Sequence, residues 1–370
     1  MRLTGSTAQK PDARKANGGS PAVQKRSAEG LFCAIEEKKK MAQRGEFQII
    51  ERFFTHETFG AWKSQGVGDD CAIIDTGAGR LAVTTDMMAL GTHFLPDADP
   101  EDVGYKALAV NLSDLAAAGA VARAFFLSIG LPRRDDGWLA DFSRGLMKLA
   151  ETSGCALLGG DTTRTPEVNG RHAPVTISIT AMGDLPAGMG LTRAGAKPGD
   201  DIWVSGTVGD AYAALKCRWG HWDLMPDAQA ACFARMDRPT PRNALGEALL
   251  PLAHACADIS DGLLADLGHI LERSGVSAEI DWESIPISLA LKSLTIAKQH
   301  EAALAGGDDY ELVFTAAPDM AERIWAAGLA TGTPVTRIGR ITEQSARNLT
   351  VRDAQGLPVV FERAGFDHFA

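Results

Sequence analysis

The stretch from Gly66 to Asp86 limits the possible fold more than any other part of the chain, because it predicts a β-hairpin with acidic residues at its open end. Cys71–Ile74 and Leu81–Thr85 are short runs of β-prone residues, and such runs form strands when turn residues separate them. The segment between them contains Gly77 and Gly79, which suit a tight turn. The sequence therefore predicts an antiparallel hairpin.

The position of the turn also predicts which residues face each other. If the turn is centred just after Gly77, residues whose numbers add up to about 155 are paired across the ladder. This register places Asp70 opposite Thr85. It also places Asp69 opposite Asp86. Because carboxylates gathered in this way repel each other unless a cation lies among them, the hairpin predicts a magnesium site.

Size and composition are those of an ordinary globular protein. A chain of 370 residues is long enough for two domains, each with its own core. Hydrophobic residues make up 45% and charged residues 23% of the sequence, and the net charge of −10 argues against a general nucleic-acid surface. The apolar region Ala107–Leu131 is interrupted by Asn111, Asp114 and Arg123, so it predicts a core segment and not a membrane span.

The six cysteines are scattered along the chain, without a C-x-x-C pair or the Cys/His spacing of a zinc site. We expect them to be small buried residues in a reducing cytosol. The predicted location is therefore cytoplasmic.

Three segments are predicted along the chain. Residues 1–40 mix Gly, Ser, Pro, Lys and Arg with little apolar periodicity, which predicts a disordered N-terminal extension. Leu185–Gly190 is rich in Gly and Pro and is predicted to link an N-terminal domain, residues 41–186, to a C-terminal α/β domain, residues 187–370. Hydrophobic patterns predict strands at 125–131, 155–158, 175–182, 202–205 and 312–315, and helices at 138–152 and 263–274.

A helix is predicted to begin at the segment Asp99–Asp102, which provides a cap residue, a proline and acids in the first turn. Asp114 shares one face of this helix with Ala107 and Val110. That face should be buried, and an unpaired buried carboxylate costs several kcal/mol (roughly). Asp114 therefore needs a cation, a proton or hydrogen-bond donors, the alternative role being a cap of the next element.

Three further segments combine glycine with acidic side chains: Gly159–Arg164, Ala257–Gly262 and Gly306–Leu312. Glycine lets the backbone approach a ligand, and acids and hydroxyls are metal ligands. The alternatives are a polar turn for the first segment and a helix cap for the second. Arg193 and Lys197 are the cations nearest to these clusters along the chain, and either one is alternatively a solvated surface charge.

Separated aspartate-rich turns with hydroxyls, and no Cys/His ligand set, indicate oxygen sites for Mg²⁺ bound with phosphates. The sequence has no G-x-x-x-x-G-K-[ST], no complete G-x-G-x-x-G, no H-E-x-x-H and no G-x-S-x-G. We therefore expect the phosphates to be held mainly through metal ions.

As an ordered set, the motifs closely resemble those of thiamine-monophosphate kinases, from Gly45 to the end of the chain. The motifs are Gly-Val-Gly-Asp-Asp-Cys-Ala, Val-Thr-Thr-Asp with His93-Phe94, Asn-Leu-Ser-Asp-Leu-Ala, Leu-Gly-Gly-Asp-Thr-Thr, Leu-Thr-Arg-Ala-Gly-Ala-Lys-Pro-Gly-Asp, Asp-Ile-Ser-Asp-Gly-Leu and Gly-Gly-Asp-Asp-Tyr-Glu-Leu. The resemblance implies ATP-dependent phosphorylation of thiamine monophosphate to thiamine diphosphate, the last step of thiamine diphosphate biosynthesis.

The resemblance also implies the architecture, an α/β (α+β type) chain with the two-domain aminoimidazole ribonucleotide synthetase-like fold. The N-terminal mixed sheets of two subunits would join across a homodimer, so that ATP lies near the shared interface. The implied partners are thiamine monophosphate and ATP, with no nucleic acid and no membrane.

Site residues follow from the resemblance at matching positions. The implied Mg²⁺ ligands, for several ions, are Asp70, Thr84, Thr85, Asp86, Asp114, Asp161, Asp258 and Asp261. The implied ATP contacts are Gly160, Asp161, Arg193 and Ser260, and the implied substrate contacts are His93, Asp308 and Phe366. No residue is expected to act covalently, and Asp86, Asp114 and Arg193 are expected to stabilise charge. Two positions depart from the family pattern, since relatives usually have Glu at Asp308 and often Tyr or Trp at Phe366.

Two alternatives are weighed against this function. Related ATP-dependent enzymes include aminoimidazole ribonucleotide synthetase, selenophosphate synthetase and the hydrogenase carbamoyl-dehydration factor, but the reactive N-terminal Cys or Sec of the second and the C-terminal Cys of the third are missing here. A catalytically silent Mg-nucleotide sensor is the other alternative. It has little need of the second-substrate contacts at His93, Asp308 and Phe366.

Overall fold

The computed structural model describes residues 68–346, 348–361 and 365–366. The predicted extension at residues 1–40 and the first part of the predicted N-terminal domain lie outside these residues. The ranges of the strands and helices below refer to the described part of the chain.

The first half of the described chain is built on a five-stranded sheet with strand order β1-β2-β7-β3-β4. Its strands are β1 (Ala72–Asp75), β2 (Arg80–Ala89), β3 (Val121–Leu131), β4 (Ala156–Arg164) and β7 (Thr176–Leu185), and a small hairpin of β5 (Glu167–Val168) and β6 (Arg171–His172) follows β4. The β3–β4 pair is parallel and the other pairs are antiparallel. The sheet is therefore mixed, as predicted.

The predicted hairpin is formed by β1 and β2. Ala72 faces Val83 and Asp75 faces Arg80, which confirms pairing by residue numbers that add up to 155. The turn is closed by a hydrogen bond of 3.0 Å from the Thr76 N–H to the Gly79 carbonyl. The ladder ends at Ala72–Val83, so Asp70 lies beyond the paired residues and the expected pairs with Thr85 and Asp86 are not part of it.

Helix α1 (Pro100–Ala117) packs on β2 and β7, and helix α2 (Asp136–Ser153) packs on α1. The Asp99 side chain accepts a hydrogen bond from the Glu101 N–H, which confirms the predicted helix start. The two helices approach closely because Gly145 has no side chain: a Cβ there would lie 1.8 Å from the Glu101 carbonyl oxygen.

The second half contains a six-stranded sheet with strand order β13-β10-β12-β8-β11-β9. Its strands are β8 (Asp201–Ser205), β9 (Ala255–Asp258), β10 (Ser277–Asp281), β11 (Leu312–Ala316), β12 (Val335–Thr342) and β13 (Leu349–Arg352). The helices are α3 (Asp210–Arg218), α4 (Pro226–Asp237), α5 (Asn243–Leu249), α6 (Leu263–Ser274), α7 (Leu289–Lys292), α8 (Ile296–Ala305) and α9 (Ala321–Ala330). Short 3-10 turns lie at Trp282–Ser284 and Pro318–Met320.

Each sheet has its own apolar core, and a third cluster joins the two halves. In that third cluster, Ala116 and Ala117 at the end of α1 pack with Trp203, Leu245 and Phe314 of the second half. Helix α1 therefore belongs to the first sheet and also touches the second half. The two mixed sheets with flanking helices confirm the predicted α/β class with two domains.

The predicted elements are present at the expected places, and α6 has the predicted bounds. The largest differences in length are at β2, β4 and β3, which extend beyond the predicted 81–85, 155–158 and 125–131. In the part of the chain that the structure describes, each helix is too short or too polar to cross a lipid bilayer.

Candidate metal and phosphate site

Three carboxylates from distant parts of the chain meet where the two halves join. Oxygen atoms of Asp70, Asp114 and Asp258 lie within 4.8 Å of one another. Asp70 precedes β1, Asp114 lies in the last turn of α1, and Asp258 is the last residue of β9. The fold therefore brings together three of the predicted metal ligands.

Each carboxylate of this cluster receives a hydrogen bond from a neighbouring side chain. The Thr84 hydroxyl donates to Asp114, and the Ser113 hydroxyl donates to Asp258 over 2.7 Å. The Arg193 guanidinium donates to Asp70 over 2.8 Å. Donors from strand, helix and connecting segment thus fix the three acids in place.

The electrostatics of the cluster favour a cation. Burial raises the pKa of Asp114 well above its usual range, and the charges of Asp86 and then Asp258 raise it further. Burial followed by the charge of Asp70 does the same to the pKa of Asp258. Carboxylates with such raised pKa values gain most from a bound cation, because it offsets both the lost hydration and the mutual repulsion.

Asp86 lies on the same strand as Thr84 and, like Thr84, on the face of the sheet that α1 covers. The Asp86 N–H donates to the Asn111 side chain of α1 over 3.2 Å. Thr85 points to the opposite face, where its hydroxyl lies 3.1 Å from the Thr180 hydroxyl and donates to the Ile179 carbonyl. The hydroxyl of Thr85 is therefore not brought to the carboxylate cluster.

Gly160 and Asp161 lie on β4, at the edge of the first sheet. A Cβ at Gly160 would lie 1.8 Å from the Leu127 carbonyl oxygen, so this position requires glycine. Two strands, β7 and β3, separate β4 from β2, which corresponds to about 14 Å at the usual strand spacing. Within one chain, Asp161 is therefore remote from Asp86.

Four of the remaining predicted contacts lie close to one another in the second half, whereas His93 lies in the first half. The Asp308 N–H donates to the Ser260 carbonyl over 2.7 Å, and the Phe366 N–H donates to the Asp261 carbonyl over 2.9 Å. His93 lies in the turn after β2, where its Nδ1 accepts from the Ala89 N–H over 3.1 Å. Ser260, Asp261, Asp308 and Phe366 therefore form one backbone-linked group.

The structure also decides between the alternatives for Asp114 and the segment before α6. Asp114 is not a cap of the next element, because its side chain faces Thr84 and the helix continues to Ala117. Before α6, the Asp266 side chain accepts from the N–H groups of Ser260, Asp261 and Gly262, each over 3.1 Å. The side chains of Asp258 and Asp261 are thus not needed as caps.

The two candidate cations, Arg193 and Lys197, differ in their exposure to solvent. Arg193 is buried and paired with Asp70, so it is not a solvated surface charge. Lys197 is exposed, which fits that alternative.

Two charged residues next to the site were given no role from the sequence. Lys106 of α1 is buried and forms an ion pair with Asp308. Glu311 is fully buried and accepts from Arg235 over 2.6 Å and from Arg242 over 2.5 Å. The signal for Lys106 is its place on the same helix face as Val110 and Asp114, four and eight residues later.

Comparison with known proteins gives the family of the two halves. Residues 68–185 match the family described as AIR synthase related protein, N-terminal domain. Residues 197–352 match AIR synthase related protein, C-terminal domain.

Curated relatives match nearly along their whole length. The chain is 41% identical over 331 residues to the thiamine-monophosphate kinase of Salmonella typhimurium, covering 88% of this chain and 98% of that protein. It is 42% identical over 332 residues to the thiamine-monophosphate kinase of Escherichia coli K12, with the same coverage of 88% and 98%.

Solved structures agree with these relatives. The crystal structure of thiamine-monophosphate kinase from Stenotrophomonas maltophilia is similar with a TM-score of 0.69 and 40% identity, covering 86% of this chain and 95% of that one. The structure of AaThiL complexed with AMPPCP and TMP is similar with a TM-score of 0.71 and 29% identity, covering 92% and 96%.

Proposed function

The chain belongs to the thiamine-monophosphate kinase family, and from this premise we propose that it transfers the γ-phosphoryl group of ATP to thiamine monophosphate, giving thiamine diphosphate and ADP. The observation that supports this most strongly is the meeting of Asp70, Asp114 and Asp258 within 4.8 Å. The likeness to AaThiL, solved with AMPPCP and TMP, supports the two substrates.

We propose that the cluster holds Mg²⁺, because its donors are carboxylate oxygens, the ligands that Mg²⁺ prefers. Several ions are proposed, with Thr84, Thr85, Asp86, Asp161 and Asp261 as further ligands. For Thr85 the backbone carbonyl is then the candidate ligand, since its hydroxyl faces away. Bound Mg²⁺ would neutralise phosphate charge and orient the reacting groups.

The reaction needs no general base and no covalent intermediate. The nucleophile is a phosphate oxygen of thiamine monophosphate, which is largely ionised at neutral pH because its second pKa is about 6. The obstacle is repulsion between two anions, about 4 kcal/mol for unit charges at ~4 Å and an effective dielectric near 20. Arg193, buried beside Asp70, supplies a fixed positive charge against this repulsion. We therefore propose direct in-line transfer.

The substrates are assigned to two groups of residues. Gly160, Asp161, Arg193 and Ser260 are proposed to contact ATP. His93, Asp308 and Phe366 are proposed to contact thiamine monophosphate. Backbone hydrogen bonds from Asp308 to Ser260 and from Phe366 to Asp261 support neighbouring positions for the donor and the acceptor.

A cytoplasmic homodimer is proposed, joined through the first sheet. Every residue of β4 is exposed although the strand contains Leu157 and Leu158, and Met87 and Phe126 are exposed on the same sheet. Exposed apolar strands at a sheet edge normally pair with another chain or are covered. A dimer would also bring the β4 residues Gly160 and Asp161 near the interface. Leu158→Lys should shift sedimentation toward the monomer, and unchanged sedimentation would argue against this interface.

The test of the function is direct. Purified protein incubated with ATP, Mg²⁺ and thiamine monophosphate should produce equal amounts of thiamine diphosphate and ADP, measured by chromatography. Omitting Mg²⁺ or replacing thiamine monophosphate with thiamine should abolish the diphosphate product. ADP formed without thiamine diphosphate would refute the proposed acceptor.

A further inference from the structure

The buried ion pair between Lys106 and Asp308 lies beside the proposed acceptor contacts. The lysine side chain is 8% exposed and the aspartate side chain is 33% exposed. Lysine is rarely buried to this extent unless its charge is paired. The more open partner is thus the one that a ligand can reach first, with the ammonium group behind it.

The carboxylate of Asp308 is held in place by its segment. Asp308 has φ of +74° and Tyr310 has φ of +53°, conformations that cost of order 1 kcal/mol or more in residues with a side chain. The segment does not relax because its neighbours are anchored: Asp309 accepts from the Gly209 N–H over 2.7 Å, and Glu311 accepts from two arginines. The structure therefore fixes Asp308 opposite Lys106.

Lys106 lies on the same helix as Asp114, one of the proposed metal ligands. It lies eight residues before Asp114 on α1, about 12 Å along the helix axis at 1.5 Å per residue, and Val110 lies between them on the same face. Tyr310 lies between the two regions: it is partly buried against the first core, and burial, followed by the charges of Asp308, Asp86 and Asp258, raises the pKa of its hydroxyl. A molecule that contacts Lys106 therefore lies along the face of α1 that also carries Asp114.

We propose that Lys106 is a substrate-binding residue that holds the phosphate group of thiamine monophosphate, taking that phosphate in place of Asp308. The inference rests on the proposed function. Thiamine monophosphate carries a positive thiazolium ring and a phosphate of about −1.5 to −2 charges. The pair offers the opposite charges, so the phosphate takes Lys106 and the thiazolium ring takes Asp308. Binding then replaces one internal ion pair by two ion pairs with the substrate.

The competing explanation is that the Lys106 ion pair is purely structural and only holds α1 against the second half of the molecule. A separate ion pair already does this near the same end of α1, where Arg238 contacts Asp102 and lies 3.0 Å from Glu101. If the ion pair were purely structural, removing it would weaken the binding of phosphorylated and unphosphorylated ligands equally. A phosphate contact would affect only the phosphorylated one.

The experiment compares the dissociation constants of thiamine and thiamine monophosphate by calorimetry at fixed Mg²⁺ without nucleotide. The dissociation constant of thiamine divided by that of thiamine monophosphate measures how strongly the phosphate group is recognised. Lys106→Met should lower this ratio by about tenfold to a hundredfold, since a hydrogen bond to a charged group contributes about 1.5–3 kcal/mol. Lys106→Arg should keep most of the ratio. Lys148→Met, at an exposed lysine of α2, is the matched control and should leave it unchanged.

Asp308→Asn gives an independent reading, also if Lys106→Met fails to fold. It should weaken the binding of thiamine, and it should raise the ratio because Lys106 no longer pairs with a carboxylate. A ratio that stays the same in Lys106→Met, equal weakening of both ligands, or a lowered ratio in Asp308→Asn would overturn the inference. Failure of the wild-type protein to form thiamine diphosphate would instead refute the proposed function.

Discussion

At the scale of single residues, Asp114 carries the clearest expectation for catalysis. It is one of the three carboxylates that meet within 4.8 Å, and burial and neighbouring acids raise its pKa. Asp114→Asn should lower kcat/KM by about a hundredfold or more, because the proposed metal would lose a charged ligand. Steady-state kinetics, with circular dichroism to check the fold, measures this effect.

The matched control is Asp223→Asn, at an exposed aspartate between α3 and α4. It removes the same charge far from the cluster and should leave the kinetics unchanged. Turnover like that of the wild type in Asp114→Asn would remove this residue from the proposed metal site.

Glu311 is a second residue whose removal has a predictable cost. Its side chain is 0% exposed and pairs with Arg235 and Arg242. Glu311→Ala leaves two arginines without their partner and should lower the free energy of unfolding by about 3–5 kcal/mol. Urea unfolding measures this change. Glu343→Ala, at an exposed glutamate, should stay within about 0.5 kcal/mol of the wild type.

Individual residues differ in how well the sequence predicted them. Asp114 was found because a carboxylate on an apolar helix face is visible as a pattern. The orientation of the Thr85 hydroxyl was not predicted, although alternation of side chains along a strand would have placed it on the face opposite to Thr84 and Asp86. The partners of Lys106 and Glu311 were not predictable, because Asp308, Arg235 and Arg242 are separated from them by tens to hundreds of residues.

At the scale of elements, the contact between α1 and α2 depends on a missing side chain. Gly145→Ala would place a Cβ 1.8 Å from the Glu101 carbonyl oxygen. The helices would have to move apart, which should cost about 1–3 kcal/mol of stability. Thermal or urea unfolding of the purified variant measures the loss.

Gly268→Ala in α6 is the matched comparison, because no atom lies within 4 Å of the added Cβ. Alanine is the better helix former by about 1 kcal/mol, so this variant should be more stable than the wild type. Destabilisation of both variants by a similar amount would show that the close approach of α1 and α2 is not the cause.

Elements were predicted best where local chemistry determines them. The β1–β2 register followed from one short glycine turn, and α6 ended at the glycine expected of a helix C-terminus. The full lengths of β3 and β4 were not visible, because pairing with neighbouring strands extends a strand beyond its apolar residues. The register between strands that are distant in sequence depends on tertiary packing and was therefore not predicted.

At the scale of the whole molecule, stability and Mg²⁺ binding should depend on pH together. Burial raises the pKa of Asp114 and Asp258 well above their usual range, and burial followed by the charge of Asp261 raises the pKa of Asp266 to about 8, so these carboxyl groups keep their protons to higher pH in the folded protein. The unfolded chain releases these protons near pH 4. The folded state binds more protons in this range, so the free energy of unfolding should fall as pH rises toward 8.

The pH dependence of stability is best measured between pH 6.5 and 8. Below this range His269 acts in the opposite direction, since burial and then Arg193 lower its pKa to about 4, and folding then opposes its protonation. Calorimetry with EDTA should give a lower Tm at pH 8 than at pH 6.5, and Mg²⁺ should raise Tm more at pH 8. Asp114→Asn should flatten the dependence seen in EDTA. A Tm that rises with pH in EDTA would contradict this assignment of protons.

The arrangement of the two halves was predictable only in outline. Composition and length indicated two domains, and the ordered motifs indicated the family. The sequence did not reveal that α1 contacts both halves, because the packing of Ala116 and Ala117 against Leu245 and Phe314 joins small residues to distant ones. The homodimer stays a prediction, which is supported by the exposed apolar residues of the first sheet.

The carboxylate cluster combines residues from both halves of the chain, which determines when it can form during translation. Asp70 and Asp114 are translated well before Asp258, which ends β9. A nascent chain halted before that strand has left the ribosome cannot assemble the three-acid cluster, however well its first sheet has folded. Cotranslational folding should therefore produce a first half that captures divalent ions poorly, and the ability to do so should appear only after the second half has docked.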